Sequence, residues 1–151
     1  GDFPRLVGLD GENKMSKSLN NAIFLSDSAE TVKEKINKAV TDPARIKIDD
    51  PGHPEVCTVY EYHEAFNSEN SDEIEKKCRA GEIGCVACKN ELTNTINELL
   101  DPMREKRAKY DENPELIDEI LMAGTKKARE IARETMKETR EAMSLNYFDK
   151  K

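Results

Sequence analysis

No run of apolar residues in the sequence is long enough to cross a bilayer, which excludes a membrane-spanning helix. The start, Gly1-Asp2-Phe3-Pro4-Arg5, lacks the basic-then-apolar order of a secretory leader. A cut inside a larger intracellular protein is the expectation. There is no internal repeat and no low-complexity tract. Histidine is scarce: His53 lies in a Pro-Gly loop and His63 on an apolar helical stripe, and neither is assigned a catalytic role. A basic excess is missing too. The net charge of −7 argues against nucleic-acid binding by the whole surface, although a local basic stripe can still hold phosphates.

What is present suits a helical protein. Charged residues make up 36% of the chain, with both signs interspersed, as on solvated helix faces. The 151 residues are enough for one domain with a core, or one domain plus a fragment of another. Four cysteines occur in a group, and in a reducing compartment grouped cysteines are read as metal ligands before disulfides.

Residues 1–27 differ from the rest. Leu6, Val7 and Leu9 read as a short strand, Asp10-Gly11-Glu12-Asn13 as a turn, and Ala22-Ile23-Phe24-Leu25 as a second apolar run. Two such fragments make no core alone, so they read as the end of a domain that is mostly absent. From residue 28 to 151 the pattern is helical. Ser28 caps a helix bearing Val32, Ile36, Ala39 and Val40, which stops before Asp42-Pro43. A loop runs to about Glu55, and Val56, Val59, Tyr60, His63 and Phe66 mark a second helix. Ser71 is expected to cap a third, ending near Gly81. A long helix opens at Val86, with a kink expected at Pro102. Asn113-Pro114 starts the last helix, which runs toward Met143.

Lys14-Met15-Ser16-Lys17-Ser18 is the most specific feature. Two lysines spaced by small hydroxyl residues on a loop can close over a polyphosphate, with hydroxyl and backbone N–H groups as further donors. A generic Lys-x-x-Lys is usually a solvated turn. These five residues, however, reproduce the KMSKS signature of class I aminoacyl-tRNA synthetases. The flanks, Gly8-Leu9-Asp10-Gly11 before and Leu19-Asn20-Asn21 after, resemble those of the tryptophanyl enzymes. The resemblance implies that Lys14 and Lys17 contact ATP phosphates, with Lys17 stabilising departing pyrophosphate. It implies that Met15, Ser16 and Ser18 complete the ATP loop and that Leu6 lies near the adenine. ATP with Mg2+ would then be a substrate of the whole enzyme.

Cys57, Cys78, Cys85 and Cys88 are spaced C-x20-C-x6-C-x2-C. Cys85 and Cys88 form a chelating pair at a helix start, and Gly81 and Gly84 are expected to let the backbone wrap closely and donate to sulfur. Zinc prefers two close pairs, an iron–sulfur cluster tolerates uneven spacing, and spacing alone leaves the two open. A subset of bacterial tryptophanyl-tRNA synthetases carries a 4Fe–4S cluster on a similar pattern, whose first spacer is two residues longer. The resemblance therefore implies a 4Fe–4S cluster, with Zn2+ as the alternative. The shorter spacer is placed in an expected turn from Asn67 to Asp72.

Lys76, Lys77, Arg79 and Lys89 surround the cysteines, and Arg104, Lys106, Arg107 and Lys109 follow Pro102. Of these, Arg79, Lys89, Arg104 and Arg107 are the candidates for tRNA phosphates. Lys126, Arg129, Arg133, Lys137 and Arg140 form a helical stripe in which ion pairs with interleaved glutamates are the plainer reading.

The resulting expectation is a mainly α chain. Residues 1–27 supply the last strand and KMSKS loop of a Rossmann-type catalytic domain, and residues 28–151 a helical anticodon-binding domain with the four-cysteine site. The resemblance implies the C-terminal part of a homodimeric, cytoplasmic ligase joining tryptophan to tRNA(Trp), inactive by itself. The alternative is a stand-alone tRNA-binding or metal-stapled structural module. An iron- or redox-sensing protein ranks below both, because it leaves the lysine loop without a purpose.

Overall fold

A computed structural model of the chain describes residues 5–145. Five helices follow in order: α1 (Ala29–Lys38), α2 (Thr58–Phe66), α3 (Ser68–Arg79), α4 (Cys85–Asp111) and α5 (Pro114–Ala142). A 3-10 turn, Pro54–Val56, leads into α2. The chain forms two compact units, one through Glu105 and the other from Lys106.

The core lies in the first unit. Val32 and Ile36, four residues apart on α1, are fully buried, and Val59 and Tyr62 of α2, Ile74 of α3 and Leu92, Ile96 and Leu100 of α4 close around them. Each such side chain contributes roughly 1.5–3 kcal/mol of transfer free energy. The segment before α1 belongs to the same core: Leu9 and Ala22 are buried, and Met15 and Ile23 pack against it.

Local chemistry sets the helix ends. Ser28 caps α1 as expected, its Oγ accepting from the Thr31 amide at 3.2 Å. The other end of α1 is closed by the Lys89 ammonium, 2.8 Å from each of the Asn37 and Ala39 carbonyls, where a cation meets the negative end of the helix dipole. The loop that follows is organised by buried Asp42. Its carboxylate accepts from the Ala44 amide at 2.8 Å and the His53 amide at 2.9 Å, and lies 2.8 Å from His53 Nδ1. Burial pushes this carboxyl up, but the bonds from His53 and Ala44 outweigh it and hold it below the usual range.

Several expectations are corrected. Leu6 to Leu9 make no strand; among the described residues only an isolated antiparallel bridge, Val7 to Lys14, has β pairing. Each neighbouring amide bonds to a different turn instead, Gly8 N–H to Asn13 O at 2.6 Å and Leu9 N–H to Asn21 O at 2.8 Å. Ser71 does not cap α3, which already begins at Ser68; its buried hydroxyl donates to the Ser68 carbonyl at 3.1 Å. The expected turn from Asn67 to Asp72 is therefore mostly the first part of α3. The long helix opens at Cys85 rather than Val86, and it is assigned as helix through Pro102 to Asp111. Pro102 and Glu98 are both exposed, so water can take the carbonyl left unmatched by the proline. Asn113-Pro114 opens α5 as expected, without a side-chain cap bond.

Candidate nucleotide loop and four-thiol site

The lysine loop is a compact hairpin with one buried organiser. Asn21, 4% exposed, reaches back with its side chain to three residues. Its Nδ2 donates to Asp10 Oδ2 at 2.8 Å and to the Lys14 carbonyl at 3.3 Å, and its Oδ1 accepts from the Ser16 amide at 2.7 Å. Asp10 Oδ1 in turn accepts from the Glu12 and Asn13 amides, each at 3.3 Å. These bonds, Asn21's first, hold the Asp10 carboxyl below its ordinary value. A Cβ on Gly8 would fall 2.1 Å from Asn21 Nδ2, so the close approach of this carboxamide requires glycine there. The hairpin is tied to the helices by the Val40 amide, 3.0 Å from the Leu9 carbonyl, and by the Tyr62 hydroxyl, which donates to the Val7 carbonyl at 2.7 Å.

Of the predicted loop residues, Lys14, Lys17 and Ser18 are exposed, and Met15 and Ser16 are half-buried. Met15 packs against the core and anchors the loop. The Ser16 and Ser18 hydroxyls lie 2.9 Å apart, and the chain reverses from Lys17 to Asn20, with Asn20 at φ 52°. Lys17 thus stands on a solvent-facing turn. Leu6 is half-buried. A cleft of about 540 Å³ adjoins this hairpin at Val7 and Gly11 and is lined by the carboxylates Glu55, Glu61, Glu64 and Glu75. Its one cation, Arg79, is bound to Glu55 at 3.0 Å and Glu75 at 2.9 Å. Such a lining repels polyphosphate.

Four thiols meet at the junction of three helices. Cys57 precedes α2, Cys78 lies in the last turn of α3, Cys85 opens α4, and Cys88 is one turn further on. Cys88 is buried and the other three are half-buried. Burial pushes the Cys88 thiol up to about 12, and Cys57, Cys78 and Cys85 each add to the rise. Burial also raises Cys78; Arg45 opposes that, while Cys57 and Cys85 add to it. Arg45 Nη1 lies 3.8 Å from Cys78 Sγ and 4.0 Å from Cys85 Sγ, and Nη2 donates to the Ile48 carbonyl at 2.6 Å. Arg45 Nε is buried with no partner among the described residues. Gly52 also abuts the site: a Cβ there would meet Cys78 Sγ at 2.5 Å. Gly81, expected to donate to sulfur, instead donates its amide to the Cys78 carbonyl at 3.1 Å. His63, fully buried, places Nε2 3.1 Å from the Cys88 carbonyl and Nδ1 3.2 Å from Asn67 Nδ2. It is a satisfied structural residue that burial keeps neutral.

Among the described residues no three His, Cys, Asp or Glu side chains converge closely enough to hold one metal ion. A polynuclear iron–sulfur group makes a different demand, one thiolate per iron at separate corners. Arg45 beside two of the thiols, with its unpaired Nε, is the observation that bears on such a group.

The candidate RNA contacts have partners within the chain. Arg79 is held by its two glutamates and Lys89 by the end of α1. Arg104 is a strap, donating to Asp27 O at 2.9 Å, Asp101 Oδ1 at 2.7 Å and Asn97 Oδ1 at 2.9 Å. Arg107 is exposed, with Asp111 at 3.3 Å. In α5, by contrast, Lys137 with Glu141 at 3.9 Å is the one stripe member in an ion pair among the described residues. The expected pairing with Glu130, Glu134 and Glu138 is not formed, and Lys126, Arg129, Arg133 and Arg140 face solvent.

Asn21, Asp10 and Arg45 were not singled out from sequence. The turn chemistry at Asp10 and the asparagines after the loop were the available signal for the first two. Arg45 lies 33 and 40 residues from its sulfurs and gave none.

Comparison with known proteins is consistent with this geometry. The family described as tRNA synthetases class I (W and Y) matches residues 3–101. The tryptophan–tRNA ligase of Aquifex aeolicus is 44% identical over 146 residues, covering 95% of this chain and 37% of that protein. That of Thermotoga maritima is also 44% identical over 146 residues, covering 95% of this chain and 44% of its own length. The crystal structure of tryptophanyl-tRNA synthetase from Campylobacter jejuni complexed with ADP and tryptophan matches with a TM-score of 0.83 at 32% identity, over 95% of this chain and 44% of that one. The chain thus spans less than half the length of these relatives.

The thiol environment yields a direct expectation. In reduced, metal-free protein at pH 8, Cys88 reacts with iodoacetamide at least about tenfold more slowly than Cys57 or Cys85. Peptide mass spectrometry over time checks this; equal rates would mean that the Cys88 pocket is open.

Proposed function

This chain belongs to the class I tRNA synthetases of the tryptophan and tyrosine family, and from that premise we propose that it serves a tryptophan–tRNA ligase as the part carrying the ATP loop and a helical tRNA-facing body. The observation that carries the reading is the lysine hairpin: a complete Lys14-Met15-Ser16-Lys17-Ser18 signature with both lysines exposed. In the proposed reaction the tryptophan carboxylate attacks the α-phosphorus of ATP. The bond from that phosphorus to the bridging oxygen breaks, and pyrophosphate leaves. The tryptophanyl group then passes to a terminal hydroxyl of tRNA(Trp), releasing AMP. Negative charge builds on the bridging oxygen as pyrophosphate departs, and Lys17, with Lys14 beside it, supplies positive charge there. Ser16 Oγ, Ser18 Oγ and the Ser18 amide complete the donors. The Ser16 amide is engaged by Asn21 and shapes the loop instead.

Residues 1–27 act in this reading as the edge of the catalytic domain and residues 28–151 as the tRNA-facing domain, within a cytoplasmic homodimer. For phosphate contact, the solvent-facing stripe of Lys126, Arg129, Arg133 and Arg140 fits RNA better than Arg79, Lys89 and Arg104, whose groups are engaged internally. Among the described residues no helix is long and apolar enough to cross a membrane.

We further infer that Cys57, Cys78, Cys85 and Cys88 hold a 4Fe–4S cluster. When bound, such a group ties α2, α3 and α4 together through thiolate–iron bonds. The four-thiol set and its uneven spacing in the chain support this reading, with Zn2+ as the alternative. Arg45 offsets the charge of the thiolates.

Two measurements test the proposal. In the complete synthetase, Lys17→Ala lowers tryptophan-dependent pyrophosphate–ATP exchange by about 100-fold or more, with tryptophan affinity kept, consistent with loss of a transition-state contact; wild-type exchange would remove the basis for the reading. Anaerobic purification gives brown protein with about four irons and four sulfides per chain, as a cubane cluster requires. Stoichiometric zinc without sulfide would refute the cluster.

A further inference from the structure

The ATP loop does not hold its own shape. Few of its backbone groups pair with one another, and the bonds that close its base run through one carboxamide. Asn21 is buried, and its side chain joins the turn before the lysines, through Asp10, to the chain between them, through Lys14 and Ser16. Its own carbonyl accepts from the Leu9 amide at 2.8 Å, fixing the backbone from which the side chain reaches. The orientation of the carboxamide is forced. Flipped, it would set its oxygen against the Asp10 carboxylate and its NH2 against the Ser16 N–H. Asp10 is itself fixed by the Glu12 and Asn13 amides. The order runs from turn amides to Asp10, to Asn21, to Ser16, and beyond Ser16 stands Lys17.

We propose that Asn21 is a positioning residue for ATP, with Asp10 as its orienting partner: the pair holds the lysine loop in a ready shape before nucleotide arrives. The proposal rests on reading the loop as the ATP loop. Without the Asn21 bonds to Ser16 and Lys14, the segment from Lys14 to Asn20 has many conformations, and nucleotide binding must select one. The Asn21 contribution therefore appears in the ATP step, and the tryptophan step, which the loop is not proposed to serve, is indifferent to it.

The pair permits a swap test. Asn21→Asp keeps an acceptor for the Ser16 amide, but faces Asp10 with a second carboxylate and removes the donor. Asp10→Asn together with Asn21→Asp restores one donor and one acceptor between the two positions, and keeps acceptors for Glu12, Asn13 and Ser16. Pyrophosphate–ATP exchange is measured in the complete synthetase, with Lys17→Ala as reference. We expect N21D to raise the ATP KM about tenfold or more, from losing a buried bond and gaining a repulsion, with the tryptophan KM within about twofold. The double variant, which repairs the pair but not the bond to the Lys14 carbonyl, lowers the ATP KM about threefold or more from that of N21D. A merely structural role predicts two losses that accumulate, and no rescue. A wild-type ATP KM in N21D, or a double variant no better than N21D, overturns the proposal. If N21D does not accumulate as folded protein, D10N alone decides it: the ATP KM rises about threefold or more as the orienting charge is lost, and an unchanged value overturns it. Should K17A keep wild-type exchange, the ATP-loop reading itself fails; should K17A lose exchange while these variants do not, only the role of Asn21 fails.

Discussion

Two adjacent buried residues of α2 hold the two ends of this unit to each other. The Tyr62 hydroxyl donates to the Val7 carbonyl at the base of the lysine hairpin, and His63 Nε2 meets the Cys88 carbonyl beside the thiols. Neighbours on a helix point about 100° apart, so one turn serves two directions. Tyr62 is 1% exposed and His63 0%, which makes each bond expensive to leave unmade. Burial also keeps the Tyr62 phenol protonated and His63 neutral, so both remain hydrogen-bonded across the physiological pH range. Cys57 precedes this same helix, so the four thiols and the lysine hairpin share a rigid element.

Charge is distributed to match. An overall acidic chain exposes Lys14 and Lys17 on the hairpin and lines the cleft beside Val7 and Gly11 with carboxylates. Its strongest internal cations are used as braces: Arg104 for the segment before α1, Lys89 for the end of α1, Arg45 for two sulfurs. An arginine forks into several donors and tolerates burial when they are met, which suits it to bracing. A lysine on an exposed turn is a mobile point charge, which suits it to phosphate.

Motifs and periodicity were legible in the sequence, and the long-range pairings were not. The Ser28 cap, the α1 stripe, the proline start of α5, the lysine signature and the grouped cysteines depend on residues close together in the chain. The missed strand at Leu6–Leu9 shows the limit: an apolar run extends only where a neighbouring strand takes its amides, and here turns took them. Ser71 was misread because a serine before an apolar residue can equally bond back within a helix. The partners of Arg79, Lys89 and Arg104 were not legible, because a basic letter does not reveal whether a carbonyl or carboxylate waits tens of residues away. The Gly8 requirement follows only from where Asn21 arrives.

The central claim is that a hairpin fixed to α2 presents Lys17 to the polyphosphate of ATP. Lysine acylation in the complete synthetase, read peptide by peptide with and without saturating ATP, addresses it most directly. Protection of Lys17, and more weakly of Lys14, by ATP but not by adenosine is the predicted result. Equal acylation of Lys17 with ATP bound would contradict the account.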